Sequence, residues 1–123
     1  MSWTRFLIAA LLAVLRAAPA PAQEDAARGG DLFQQCSACH SSEPGVNKLG
    51  PSLFGIVGRR AGTEPGFVYS DAMSRLDRVW TRQTLDVYLA DPPGNVPGTK
   101  MVFAGLKDAA QRADLIAYLA TLQ

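Results

Sequence analysis

The chain is poor in the residues that most often carry chemistry. Its 123 residues include one histidine, two cysteines, three methionines and three lysines. A single histidine, His40, leaves one imidazole to serve any site. Two cysteines cannot supply a four-ligand zinc centre, which usually draws on two Cys-x-x-Cys pairs. No βαβ pattern surrounds them, which argues against a thioredoxin-like dithiol. A disulfide between them would close too small a loop to stabilise much. No stretch alternates apolar and polar residues over the length of a strand, and there is no internal repeat or low-complexity run.

What is there is concentrated in Cys36-Ser37-Ala38-Cys39-His40. This Cys-x-x-Cys-His order is the c-type haem attachment pattern. Two thiols at this spacing can add to the two vinyl groups on one edge of a porphyrin, and the histidine that follows can bring an imidazole nitrogen to the iron. A second soft ligand is offered by Pro97-Gly98-Thr99-Lys100-Met101. A Met/His pair raises the reduction potential of a haem. A lone methionine is ordinarily core filler, but a Pro-Gly turn presents Met101 from a loop. Met73, in the middle segment, is the rival.

Residues 1–22 read as a secretory signal peptide that is cleaved. Arg5 gives the positive start, Phe6 to Leu15 the apolar run, and Ala18-Pro19-Ala20 and Ala20-Pro21-Ala22 two small-residue cleavage sites. The alternative is an uncleaved anchor, but a span needs about 20 apolar residues and Arg16 interrupts this one. Export fits covalent haem attachment, and the expected location is the bacterial periplasm. The leader holds two arginines and no acid, so residues 23–123 carry ten basic and eleven acidic side chains, a net charge of −1.

Residues 23–123 are expected to form one small all-α domain with long loops. A domain of this size has a limited core, to which a macrocycle would add an apolar centre. A first helix is predicted from about Glu24 to Gln35, with Gly29 and Gly30 inside it marking close approach by another element. Ser70 can cap a short helix to about Arg75. Thr81 can cap another to about Ala90, stopped by Asp91-Pro92-Pro93-Gly94. Leu85, Tyr88 and Leu89 share one face of that helix, which is expected to lie against the haem. Asp108 can cap a last helix to about Leu122, on which Leu115, Tyr118, Leu119 and Leu122 form one apolar stripe. The segment from Ser41 to Gly66 reads as loop; such loops need an organiser, and the haem is the natural one.

With these residues in place, the chain resembles the class I c-type cytochromes, close to the mitochondrial type and its bacterial relatives. The likeness runs from about Gly29 to Leu122 and rests on CSACH, GPSLFGIVGR, PGFVYSDA, VW, YLADP, VPGTKMVFAG and DLIAYL in that order. It implies helices packed around one covalently bound haem c, held through Cys36 and Cys39, with His40 and Met101 on the iron. The first and last helices would cross at a glycine beside Phe33 and Tyr118. The Pro51 carbonyl would orient His40. Arg59, Tyr69, Trp80 and Thr99 would serve the haem propionates, with Arg60 merely solvated. The Tyr88 hydroxyl would approach the Met101 sulfur, and Phe103 would shield the exposed haem edge. Met73 stands where many relatives have asparagine, which implies a drier pocket and a raised potential.

The family's ring of lysines is depleted here: Gln35, Pro93, Gly94 and Asp108 stand where relatives often place lysine. Docking should therefore depend less on salt, or use a differently charged partner. The resemblance implies a monomeric one-electron carrier, not an enzyme. Its partners would be redox proteins such as a membrane oxidase, a cytochrome bc-type complex or a periplasmic dehydrogenase. Neither nucleic acid nor stable membrane insertion after cleavage is expected. Two other readings compete. A peroxidase or gas sensor would need a weak or absent Met101 bond, which Lys100 could replace when deprotonated. A dedicated subunit of one dehydrogenase or oxidase would co-purify with it.

Overall fold

A computed structural model describes residues 17, 18, 20 and 23–123. The leader expected over residues 1–22 otherwise lies outside the described residues. Among the described residues five helices form: α1 (Ala26–Phe33), α2 (Asp71–Ser74), α3 (Arg82–Ala90), α4 (Pro92–Asn95) and α5 (Ala109–Ala120). Among the described residues the only β-type pairing is an isolated antiparallel bridge between Arg60 and Val79. The all-α expectation holds, with long loops between short helices.

Each helix starts where a short polar side chain can satisfy free backbone N–H groups. Asp25 caps α1 by accepting from the N–H groups of Ala27 and Arg28. Ser70 caps α2, Thr81 and Thr84 form a reciprocal capping box on α3, and Asp108 caps α5. The Asp91-Pro92-Pro93-Gly94 stop after α3 proves to be a start as well. Asp91 accepts from the Gly94 N–H and Pro92 sits in the first turn, where a missing N–H costs nothing, so the one-turn α4 follows at once.

Helices α1 and α5 cross at Gly29. A Cβ there would sit 1.9 Å from the Asp114 carbonyl oxygen and 2.7 Å from the Tyr118 Cβ. Only glycine permits that approach. One turn on, the Phe33 and Tyr118 rings meet at 5.2 Å between centroids, tilted by 47°. The end of the crossing is polar. Buried Asp114 accepts from the Asp25 N–H at 2.8 Å and from Arg28 Nε at 3.0 Å. These bonds hold the Asp114 carboxyl below its ordinary range, the Arg28 hydrogen bond contributing most.

The core runs inward from this crossing through Leu115, Ile116 and Leu119 to Leu85, Trp80, Met73 and Ile56. The loops are tied to it by single hydrogen bonds. The Gly55 N–H reaches the Leu122 carbonyl at 2.6 Å, and the Leu106 N–H reaches the Leu89 carbonyl at 2.8 Å. Trp80 N–H donates to the Arg59 carbonyl and Gly58 N–H to the Trp80 carbonyl, which sets Arg59 and Trp80 side by side.

Candidate functional site

The core encloses a cavity of about 560 Å³. Cys36, Cys39, His40 and Met101 all line it, together with Met73, Trp80, Leu85, Tyr88, Leu89, Phe103, Leu115 and Leu119. The chain enters from α1 by a tight turn in which the Cys39 and His40 N–H groups both donate to the Cys36 carbonyl. That turn, which continues the helical course past Phe33, brings Cys36, Cys39 and His40 to one wall.

His40 Nδ1 lies 2.8 Å from the Pro51 carbonyl oxygen. A carbonyl can only accept, so Nδ1 carries the proton, and the lone pair of the neutral ring belongs to Nε2. Burial pushes the His40 pKa down despite the Pro51 bond, with Lys48 lowering it further. A neutral, oriented imidazole with a free Nε2 is what a metal ligand requires. Gly50 presses against the ring: a Cβ there would come within 2.3 Å of His40 Cε1. Gly50 therefore belongs to the site, though sequence reasoning did not single it out. The signal available was its place directly before the expected Pro51.

Burial pushes the Cys36 thiol up, and Cys39 adds to the shift. That is the opposite of the depressed thiol of a redox-active dithiol.

On the far loop, the Tyr88 hydroxyl stands 3.9 Å from Met101 Sδ and 3.5 Å from Thr99 Oγ1. Met101 N–H reaches Thr99 Oγ1 at 3.4 Å. Thr99 is itself anchored through its N–H to the Val96 carbonyl. The loop is thus held to α3 through Tyr88, which is buried and meets the Trp80 ring at a tilt of 45° with 4.8 Å between centroids. The rival Met73 also lines the cavity, but its backbone lies in α2 and its side chain in the packed core.

The four residues nominated for propionates all line the same cavity. Arg59 donates to the Ser52 and Phe54 carbonyls and pairs with Glu64 at 3.1 Å, both side chains only 11% exposed. Glu64 as its partner was not anticipated. A guanidinium carries five N–H donors, so this arrangement leaves some unused. The Tyr69 hydroxyl accepts from the Glu64 N–H at 3.1 Å. Among the described residues nothing accepts from the Trp80 indole N–H. Arg60 pairs with Asp77 at the exposed surface, as a solvated side chain would.

These residues fit a haem. The wall is apolar, one side offers two thiols and an oriented imidazole, and a loop offers a thioether. Such a soft and borderline donor set suits iron in a macrocycle. Among the described residues no group of three or more His, Cys, Asp or Glu side chains could hold a metal ion instead.

A family model described as cytochrome c matches residues 26–123. The chain belongs to the cytochrome c family. It is 50% identical over 110 residues to cytochrome c2 of Blastochloris viridis, covering 88% of this chain and 87% of that one. It is 48% identical over 100 residues to cytochrome c of Euglena viridis, covering 80% and 98%. The solved structure of cytochrome cH from Methylobacterium extorquens superposes with a TM-score of 0.75 at 46% identity, over 79% of this chain and 98% of that one. As a c-type cytochrome the protein is an electron carrier with haem as its cofactor, and not an enzyme.

Proposed function

We propose that residues 23–123 are the mature form of an exported, periplasmic cytochrome that carries one electron at a time between redox proteins. The observation that carries this reading is that His40, with Nε2 free, and Met101, held by Tyr88 and Thr99, line the same apolar cavity as Cys36 and Cys39. In this reading one haem is bound through thioethers to Cys36 and Cys39, with His40 and Met101 on its iron. Bound there, it supplies a one-electron Fe(III)/Fe(II) couple whose potential a Met ligand raises.

The chain's own residues do the rest. Pro51 and Gly50 fix the plane of the His40 ring, and Tyr88 steadies the Met101 sulfur. Arg59, Tyr69, Trp80 and Thr99 offer donors to the propionates. Apolar side chains exclude water, so the site reorganises little when its charge changes. With both ligand positions taken by protein, no open position is left for a substrate. Docking of such a carrier is weak and brief. The partners proposed are a membrane oxidase, a cytochrome bc-type complex or a periplasmic dehydrogenase. Cleavage of residues 1–22 precedes this work.

The test is the visible spectrum of the reduced, matured protein with and without carbon monoxide. An unperturbed low-spin c-type spectrum supports Met101 ligation, and Met101→Ala should then admit carbon monoxide. Rapid binding by the parent protein would overturn the carrier and favour a peroxidase or sensor. Mass measurement of the exported protein tests cleavage after residue 22.

A further inference from the structure

Two of the residues that line the cavity are cations, Arg59 and Lys100. Lys100 is exposed, whereas the Arg59 side chain is only 11% exposed. Solvent and salt screen an exposed charge far more than a buried one, so Arg59 dominates the fixed field at this wall. Its guanidinium is fixed in place. Nη1 donates to the Ser52 carbonyl at 2.8 Å, and Nη2 serves both the Phe54 carbonyl and Glu64 Oε2, the latter at 3.1 Å. Glu64 is as shielded as Arg59, yet it is not among the lining residues. The cation is therefore presented to the cavity while its counter-charge is held back from the wall.

The loop builds Glu64 into that place. Glu64-Pro65-Gly66-Phe67 is a tight turn, closed by the Phe67 N–H on the Glu64 carbonyl at 3.4 Å. Pro65 stands at its second position, and Gly66 at its third with a φ of 77°, where a side chain would be strained. The Tyr69 hydroxyl accepts from the Glu64 N–H at 3.1 Å, and Asn47 donates to the Pro65 carbonyl at 3.0 Å. The turn that carries the carboxylate is thus pinned from either side in sequence. A buried ion pair gains a fold little, because desolvation offsets the attraction. What the carboxylate does alter is the field at the wall.

We propose that Glu64 sets the reduction potential: it cancels the charge of Arg59 at the cavity wall and holds the potential below the value that an unpaired Arg59 would impose. The sign follows from charge. Fe(III) carries one positive charge more than Fe(II), so a buried cation nearby favours the reduced state and a carboxylate favours the oxidised one. With Glu64 in place the wall carries a dipole and not a full charge. The adjacent Arg60–Asp77 pair gives the contrast, since its side chains are 59% and 85% exposed and solvent screens them. The inference rests on the haem reading of the cavity.

The test is the midpoint potential of the haem-loaded protein and three variants, read by spectroelectrochemical titration after the visible spectrum of each is recorded. Glu64→Gln keeps the shape and an oxygen that can accept from Arg59, but loses the charge. At a fixed applied potential its reduced-to-oxidised ratio should rise about threefold or more, a shift of about 28 mV upward at about 59 mV per tenfold for a one-electron couple. Glu64→Ala changes the shape and loses the same charge, so it should move the same way, and it decides the matter if Glu64→Gln does not load haem. Asp77→Asn should titrate like the parent. A purely structural role has the opposite sign: a loosened Arg59 would admit water, favour the more charged oxidised state and lower the potential. An unchanged or lowered potential on loss of the Glu64 charge overturns the proposal, as does an equal rise in Asp77→Asn. A wrong spectrum in the parent defeats the haem reading, whereas a correct one with an unmoved potential defeats this proposal alone.

Discussion

Helices α1 and α5 meet backbone against backbone at Gly29, set the tilted Phe33 and Tyr118 rings together, and close the end of the contact with Arg28 and Asp114. The segment from Ser41 to Tyr69 has no helix at all. It is held by single hydrogen bonds, such as Gly50 N–H to the Cys39 carbonyl and Asn47 to Ser52 N–H and to the Pro65 carbonyl. The first region contains its own packing partners. The second curves around the cavity and lines it with Leu49, Pro51, Leu53, Ile56, Arg59, Phe67 and Tyr69. Both lie within one small domain, yet one is stabilised by protein alone and the other depends on what fills the space. Side chains that line a cavity gain their dispersion contacts from whatever group fills it.

The sharpest way to break the comparison is to keep the haem out. A dry cavity of about 560 Å³ at about 24 cal/mol per Å³ would cost on the order of 10 kcal/mol, as much as a domain's whole stability. The Cys36→Ser/Cys39→Ser variant, lacking the covalent tether, should therefore lose fixed tertiary structure. Amide exchange should be fastest over residues 41–70, with any residual protection in α1 and α5. Uniform native protection without haem would refute the distinction. The next largest effect falls on the other region. Gly29→Ala puts a methyl group 1.9 Å from the Asp114 carbonyl oxygen, an overpacking that costs about 3 kcal/mol or more because backbone must move. A denaturant titration of the haem-loaded protein should show that loss, while the low-spin spectrum persists in the folded state.

The same division explains what could be read in advance. The caps at Ser70, Thr81 and Asp108, the apolar stripe of α5 and the close approach at Gly29 are local signals, and each stands in the structure as expected. Cys36, Cys39 and His40 stand out in the sequence because haem attachment requires a fixed spacing, and the structure brings the three to one cavity wall. Contacts set by the path of a loop do not stand out in this way. Nothing within a few residues of Arg59 announces that Glu64 folds back to it. The turning of Lys48 onto Ser37, or of Gly50 onto the His40 ring, depends on the loop's path and on no periodicity. The one-turn α4 was read only as a stop, because Pro92 and Pro93 end α3 whether or not a new helix begins there.

Two substitutions sharpen the comparison from the cavity side. Gly50→Ala would place a Cβ 2.3 Å from His40 Cε1, so the ring must tilt or the loop must yield. We expect a stability loss of about 1–3 kcal/mol, smaller than at Gly29 because a loop gives way more easily than two crossed helices. We also expect faster carbon monoxide binding to the reduced protein. An unchanged carbon monoxide rate would mean that Gly50 shapes the loop and not the ligand. Met73 is buried on the cavity wall. Met73→Asn should admit water, favour the more charged oxidised state, and lower the reduction potential by on the order of tens of millivolts. Voltammetry that finds an equal or higher potential would remove Met73 as a determinant.

The smallest effect concerns the polar end of the helix crossing, and its sign follows from the carboxyl group there. The Arg28 hydrogen bond and the Asp25 N–H hold Asp114 ionised to lower pH than an unfolded aspartate would be. A group with a depressed folded pKa binds its proton more readily in the unfolded chain. Its stabilisation is therefore present above the ordinary carboxylate range, and is lost as pH falls through that range towards the lower folded value. Asp114→Asn keeps the shape but removes the charge, so melting temperatures of parent and variant should differ near neutral pH and converge as the solution is acidified. The Arg28 side chain is 63% exposed, so solvent screening keeps this difference well below that of Gly29→Ala. A gap that persists unchanged through acid pH would show that Asp114 acts by shape alone. The crossing would then owe its strength wholly to the contact at Gly29.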